Sequence, residues 1–308
     1  MQRVSHQVSG GTITIDVEKL AGNLRQKAEW LQNHIRKTEW IQGEEEGWFN
    51  SYYDNNGNAV EGYHLRGVRM MLTGQVFAVM SGTAQNEQIS RICKSADRYL
   101  YDEKAGGYRL NTNFHEQKYD MGRMFGFAYG EKENGAVFSH MTVMYANALY
   151  QRGFVKEGYR ALQTLADTAL NFEISKIYPG IPEYFNRDGR GMYHYLTGAA
   201  SWYMLTMVTE VFGVHGELGS LAVRPKLLKE QFDEQGDAWI SLVFAGKSFQ
   251  VVLHNPKKLT YGQYQMISAA CDGAQMQIKD MSSAVLERSR IEMLPDHIHK
   301  IEITLDEI

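Results

Sequence analysis

An alternation of two helix types constrains this chain more than any other feature of its sequence. In residues 16–37, Val17, Leu20, Leu24, Ala28, Leu31 and Ile35 recur at three- and four-residue spacing behind Asp16, a plausible N-cap. The next segment, 66–82, is apolar on nearly every face, and a helix with no polar face is expected to be buried. The pairing then repeats: amphipathic 85–101 and apolar 136–152, then amphipathic 155–173 and apolar 196–213. The longer connections fall on one side only. Buried inner helices, half-exposed outer helices and functional loops at one rim are the pattern of an α/α barrel. Six helices are too few for a full ring, so residues 1–216 are predicted to form half of an (α/α)6 barrel. Half a ring leaves buried-type helices without neighbours, which predicts a large exposed apolar surface.

After Gly216 the period changes to two. Trp239–Phe244, Phe249–Leu253 and His299–Leu305 are short, β-branched or aromatic, and bounded by Gly, Pro or Asp. Residues 217–308 therefore read as a small antiparallel β-domain, and the whole chain as α+β.

Composition removes several function classes. Of the 308 residues 44% are hydrophobic and 22% charged, which suits a folded chain with a sizeable core. The net charge of −4 comes from interspersed acids and bases, so neither nucleic acid nor an anionic membrane is expected as a partner. Two cysteines, Cys93 and Cys271, are too few for a disulfide framework or a thiolate zinc site; a reducing, cytoplasmic setting without a metal is expected. Met1 to Ile15 lacks the apolar core of a secretory signal, and no uncharged apolar run is long enough to span a membrane. Tyr (18), Phe (13) and Trp (5) suit the C–H faces of sugars, but composition alone favours the plainer reading that they fill a helical core.

Chemistry concentrates in the loops. Asn56-Gly57 marks a turn flanked by aromatics, suggesting a short hairpin. The irregular region 108–135 is long enough to suggest a functional loop. It leads into Glu131-Lys132-Glu133-Asn134-Gly135-Ala136-Val137-Phe138-Ser139-His140, which sets acid, base, amide and imidazole at the mouth of an apolar helix. Tyr195-Leu196-Thr197-Gly198-Ala199-Ala200-Ser201-Trp202 occupies the mouth of another. Each has a plain structural reading: a histidine at a helix start is more often a core or capping residue than a ligand, and Thr before Gly is usually an N-cap. Free N–H groups at a helix start also suit an anion. Glu131, Glu133 and Glu183 could serve as general acids or as acceptors for sugar hydroxyls.

Glu133-Asn134-Gly135…His140 and Leu196-Thr197-Gly198-Ala199-Ala200-Ser201-Trp202 resemble the two signature stretches of glycoside hydrolase family 94, the inverting phosphorylases of β-linked disaccharides and oligosaccharides. Gln75-Val76-Phe77-Ala78-Val79-Met80-Ser81-Gly82 resembles a helix of that family, and Trp48 to Gly57 its aromatic-and-acid hairpin, with Ser51 where most members have Arg. The wording is most similar to 1,2-β-oligoglucan phosphorylases and the related region of cyclic β-1,2-glucan synthases, with cellobiose and chitobiose phosphorylases more distant. The resemblance implies phosphate binding by His140, Thr197 and Gly198, and sugar contacts by Lys132 and Glu133, with Glu183 and Gln75 as further substrate-binding candidates. It implies no cofactor beyond inorganic phosphate as co-substrate. Phosphate would attack the anomeric carbon while an Asp protonates the glycosidic oxygen, giving α-glucose 1-phosphate with inversion. The family's Asp-Trp-Asn-Asp-Gly-Met-Asn stretch, which carries that general acid, has no counterpart here; Met1-Gln2-Arg3-Val4 resembles its continuation. No catalytic residue is therefore expected in this chain. The resemblance implies a C-terminal piece that is inactive alone, or else a non-catalytic carbohydrate-binding or interaction module, either a homodimer or the complement of a separate N-terminal chain.

Overall fold

The computed structural model describes residues 10–177, 180–194 and 197–308. Met1-Gln2-Arg3-Val4, Tyr178-Pro179 and the Tyr195-Leu196 start of the second signature stretch lie outside the described residues. Six longer helices form where the periodicity places them: α1 (Val17–Thr38), α2 (Leu72–Met80), α3 (Asn86–Tyr99), α4 (Ser139–Gln151), α5 (Val155–Leu170) and, after the one-turn α6 (Phe172–Ser175), α7 (Gly198–Thr206), which runs on into a π-helical turn, Met207–Val211. None is long and apolar enough to cross a membrane. The expected 66–82 helix starts late, because its first residues pair as a strand.

Short hairpins fill the loops: β1 (Trp40–Gln42) with β2 (Gly47–Phe49), β3 (Gly62–His64) with β4 (Gly67–Arg69), and β5 (Tyr101–Asp102) with β6 (Gly107–Tyr108). A three-stranded ladder joins β7 (Val137–Phe138), β8 (Tyr184–Phe185) and β9 (Gly191–Met192). Asn56-Gly57 does lie in a turn, with Gly57 at φ +79°, but only a single bridge, Tyr53 to Ala59, flanks it.

Helix α4 is the hub, packed against α2, α5 and α7. Most of its side chains are buried, Tyr145 and Leu149 among them, as an apolar helix requires. Two other helices depart from the expected pattern. Helix α1 keeps its N-cap, with Asp16 Oδ1 accepting Lys19 N–H at 3.0 Å, yet none of its 22 residues is buried. Leu20, Leu24, Trp30 and Leu31 face outward. It is held mainly by polar contacts: Arg36 donates to the carbonyls of Thr83 (2.5 Å) and Gly82 (2.9 Å), and Gln32 to that of Ser81 (3.2 Å). Apolar α7 buries only Ala199 and Thr206, leaving Met204 and Leu205 exposed, because α4 covers one face and nothing described covers the other.

The sheets begin at β10 (Val214–Glu217), slightly before the expected boundary, and continue with β11 (Ser220–Val223), β12 (Asp237–Phe244), β13 (Lys247–His254), β14 (Tyr264–Cys271), β15 (Ala274–Gln275), β16 (Gln277–Lys279) and β17 (Ser283–Leu286). A short helix, α8 (Arg288–Met293), leads to the last strand, β18 (Ile298–Glu307). One sheet has the order β10-β11-β17-β16 and the other β12-β13-β18-β14-β15. Every described ladder is antiparallel except β13 with β18. That pair differs from the expected antiparallel domain: the chain passes through β14, β15, β16, β17 and α8 before β18 returns beside β13, a connection long enough for a parallel pair. A continuous apolar core runs from Trp48 in the helical region through Phe249 and Leu305 in the sheets.

Candidate functional site

The Glu131–Gly135 turn is built by two residues that the sequence reading passed over. Asn111 Oδ1 accepts Gly135 N–H at 2.8 Å, and Arg109 donates to the Gly135 carbonyl at 2.6 Å while gripping Asp102 Oδ2 at 2.8 and 3.0 Å. Gly135 has φ +75°, and a Cβ there would lie 2.2 Å from the Tyr129 ring, so glycine is required on both counts. Asn134 anchors the same turn by donating to the Phe127 carbonyl at 2.8 Å.

From this turn the chain runs through β7 into α4. Pairing of β7 with β8 sets Phe138 opposite Tyr184, and Ser139 N–H donates to the Glu183 carbonyl at 3.0 Å. Glu183 thus joins the two loops, for its carboxylate also accepts Lys132 Nζ at 3.2 Å. Lys132 sits 3.5 Å from the centroid of the Tyr193 ring. Burial opposes its charge, but the bonds to Glu183 and Tyr193 outweigh that and hold the ammonium above its ordinary range.

The two helix mouths meet at His140 and Gly198. A Cβ at Gly198 would lie 2.8 Å from His140 Cε1 and 2.9 Å from Nδ1, so the glycine makes room for the imidazole. Trp202, one turn along α7, stands with its ring centroid 5.6 Å from that of His140. His140 Nε2 is enclosed and has no hydrogen-bond partner, and the same is true of Ser139 Oγ beside it. Burial pushes the imidazole below its usual titration range and so favours the neutral ring. Thr197 is the N-cap of α7: its hydroxyl accepts Ala199 N–H at 3.2 Å, which leaves its own proton free to donate.

His140, Gly198, Lys132 and Glu183 therefore lie in one linked neighbourhood. Glu133 turns aside and pairs with Arg123 at 3.0 Å. Glu131 accepts the Tyr184 hydroxyl at 3.2 Å. Gln75 is fully buried and its amide is used up on backbone: it donates to the carbonyls of Phe49 (2.8 Å) and Met71 (3.1 Å) and accepts Phe49 N–H at 2.8 Å. Its observed role is to fix β2 against α2, not to present an amide to a ligand. A separate cavity of about 620 Å³ opens between α1, α2 and the 49–53 segment, lined by Phe49, Tyr52, Tyr53, Phe77 and Met80. Next to it lies Glu61, buried, with Oε1 accepting Ser51 N–H at 2.9 Å and Oε2 accepting Met71 N–H at 2.7 Å. Burial dominates these bonds and pushes its carboxyl up to about 7. Nothing in the sequence spacing singled out Glu61. The Tyr184 and Tyr193 rings around Lys132 could have been suspected only from the aromatic density of the loops.

Two helix starts converge on one imidazole beside Trp202, with the Lys132–Glu183 pair joined to it through the Ser139 backbone, a geometry suited to an anion and a sugar. The family model described as "Glycosyl hydrolase 94 superfamily, catalytic domain" matches residues 15–213, and the chain belongs to that family. Solabiose phosphorylase of Paenibacillus borealis is 23% identical over 253 residues, covering 78% of this chain and 31% of the relative. N,N'-diacetylchitobiose phosphorylase of Vibrio proteolyticus is 24% identical over 253 residues, covering 79% and 30%. Cellobionic acid phosphorylase of Neurospora crassa is 25% identical over 173 residues, covering 52% and 22%. This chain spans less than a third of the length of each of these phosphorylases.

Proposed function

We propose that this chain supplies the phosphate cradle and part of the sugar-binding rim of an inverting phosphorylase of β-linked gluco-oligosaccharides, within half of an (α/α)6 barrel. The observation that carries this reading is the enclosed, unpartnered Nε2 of His140, set against the glycine that opens α7. A phosphate oxygen placed there would accept from His140, from the Thr197 hydroxyl and from the free N–H groups of the α7 start. Lys132 and Glu183, with Tyr184 and Tyr193, would form the sugar rim. Gln75 would act on it only indirectly, by positioning Phe49.

In the reaction the phosphate oxygen bonds to the anomeric carbon as the glycosidic C–O bond breaks, and the departing oxygen takes a proton from a carboxylic acid. The rim acids suit binding more than that proton transfer, since Glu183 is paired with Lys132, Glu133 with Arg123, and Glu131 with Tyr184. We therefore assign the general acid to another polypeptide segment and expect no turnover from this chain alone. The outward apolar face of α1 and the adjoining cavity favour a complementary chain as the partner that carries it.

The test is a titration with inorganic phosphate, followed by the imidazole resonances of His140 and by calorimetry. Saturable binding that disappears in His140→Ala and weakens at least about tenfold in Gly198→Ala is expected. Equal binding by the wild type and His140→Ala would remove the cradle. Release of glucose 1-phosphate from 1,2-β-oligoglucans by this chain alone would overturn its expected inactivity.

A further inference from the structure

Far from the helix mouths, the turn between β14 and β15 lies against the start of β18. Asp272 and Gly273 form it with φ of 50° and 77°, the two-residue pattern that matches hairpin twist. The Asp272 carboxylate is set by backbone on the neighbouring strand: Oδ1 accepts Lys300 N–H at 2.9 Å, while Asp272 N–H donates to the Lys300 carbonyl at 2.9 Å. Its Oδ2 is thereby brought 2.7 Å from His299 Nδ1.

His299 is fully buried, and its Nε2 lies 2.9 Å from the Pro295 carbonyl oxygen. A carbonyl can only accept, so Nε2 carries a proton. Nδ1 faces the Asp272 carboxylate at hydrogen-bonding distance, so the two atoms share a proton. A metal cation beside the two ligand atoms can take the place of that proton. The exposed His297 completes the set: its ring centroid is 4.2 Å from that of His299, and one ligand atom from each of Asp272, His297 and His299 lies within 4.8 Å of the others.

We propose that Asp272, His297 and His299 form a binding site for a divalent transition-metal ion of the zinc type. Two imidazole nitrogens with one carboxylate suit such an ion, whereas magnesium and calcium favour oxygen ligands. The Pro295 carbonyl fixes the His299 tautomer and ring plane, as outer-shell partners of metal-bound histidines do. Metal–ligand bonds of about 2 Å place tetrahedral ligand atoms roughly 3.3 Å apart. Asp272 and His299 already approach that spacing, and the exposed His297 side chain can swing to reach it. The ion ties the β14–β15 turn to β18, a central strand of its sheet, and keeps a coordination position open to solvent.

The experiment is a titration of the full chain, stripped with a chelator, with Zn2+ alone, read by calorimetry and by thermal unfolding. One equivalent bound in the micromolar range or tighter, with a rise in Tm, is expected. Mg2+ should give no shift. His297→Ala removes an exposed ligand, so the metal-free Tm should stay the same while Zn2+ affinity falls by at least about tenfold. Asp272→Asn should weaken binding similarly. Zn2+ binding that His297→Ala leaves unchanged would place the ion on other histidines and overturn the proposal. Absence of binding would leave Asp272 and His299 as a simple ion pair and overturn it equally.

Discussion

The helical region and the sheet region treat buried polar groups differently. In the sheets each is matched. The Tyr264 hydroxyl accepts Leu227 N–H at 2.9 Å and donates to the carbonyls of Pro225 and Leu227, both at 3.2 Å. Asn255 bonds Leu259 in both directions, at 2.8 and 3.0 Å. Among the described residues, the buried side-chain atoms without a partner fall in the helical region, including Trp48 Nε1, Arg69 Nε, Ser139 Oγ and His140 Nε2. Leaving a buried donor or acceptor unpaired costs about 1–3 kcal/mol, so these atoms mark where the helical region forgoes stability that the sheets keep. The same region exposes the apolar faces of α1 and α7. Apolar side chains are exposed in both regions, Trp239 and Ile298 in the sheets among them, so unpaired buried polar atoms and not exposed apolar surface separate the two.

The largest effects should come where the two regions join. Gly213 precedes β10 with φ +67°, and a Cβ there would lie 1.9 Å from the Arg224 carbonyl oxygen, a backbone atom fixed by the first sheet ladder. Gly213→Ala is expected to cost about 4 kcal/mol or to prevent folding, since unfavourable φ and overpacking add. Gly135→Ala meets the Tyr129 ring, a side chain that can give way, and should cost less, about 2–3 kcal/mol. Urea unfolding of the two variants measures the difference, and the reverse order would mean that the junction is softer than the signature turn.

Carboxylates sharpen the contrast through pH. Glu61 in the helical region is raised from 4.5 to about 7 by burial, so between these values the folded state holds a proton that the unfolded state has released. Its contribution is fully present below 4.5 and is lost as pH rises through 7, a span of roughly 3 kcal/mol. Asp272 in the sheets is lowered: burial acts to raise it, but His299 and the Lys300 N–H prevail. Its contribution is present above 3.8 and disappears as pH falls below that value. Stability profiles of wild type and Glu61→Gln from pH 4 to 8 should differ in slope, the variant being flatter. Parallel profiles would show that Glu61 does not titrate in this window.

How much of this was legible depended on whether local pattern or distant packing set the answer. The existence of the six longer helices and the change to longer strands near Gly216 follow from apolar spacing, which each segment carries within itself, whereas their exact bounds do not. What the pattern could not show is which apolar face finds a partner: α1 has a well-spaced stripe and buries none of it. The first signature stretch reads as a functional turn from its own residues, but the clamp that shapes it, Arg109 and Asn111, lies some distance upstream and looks like ordinary polar sequence. Gln75 shows the converse, since a residue matched to a family motif has its amide bonded to Phe49 and Met71, contacts that no local pattern announces. The parallel β13–β18 pair and the cluster of Asp272, His297 and His299 depend on contacts between separated segments. Counting thiols for metal sites does not reveal such a cluster.

The smallest expected effect tests the comparison most directly. Tyr264→Phe removes a hydroxyl that satisfies Leu227 N–H, and an orphaned buried donor should cost about 1–3 kcal/mol. Ser139→Ala removes a hydroxyl as thoroughly buried but with no bond to lose, so folding should be unaffected or slightly favoured, by up to about 1 kcal/mol. If Ser139 Oγ is held in readiness beside His140, the cost should appear instead as weaker phosphate binding at unchanged stability. Chemical denaturation and phosphate titration of the same variant separate the two quantities. Equal destabilisation by Tyr264→Phe and Ser139→Ala would show that both regions satisfy their buried hydroxyls alike, and the contrast between them would fall.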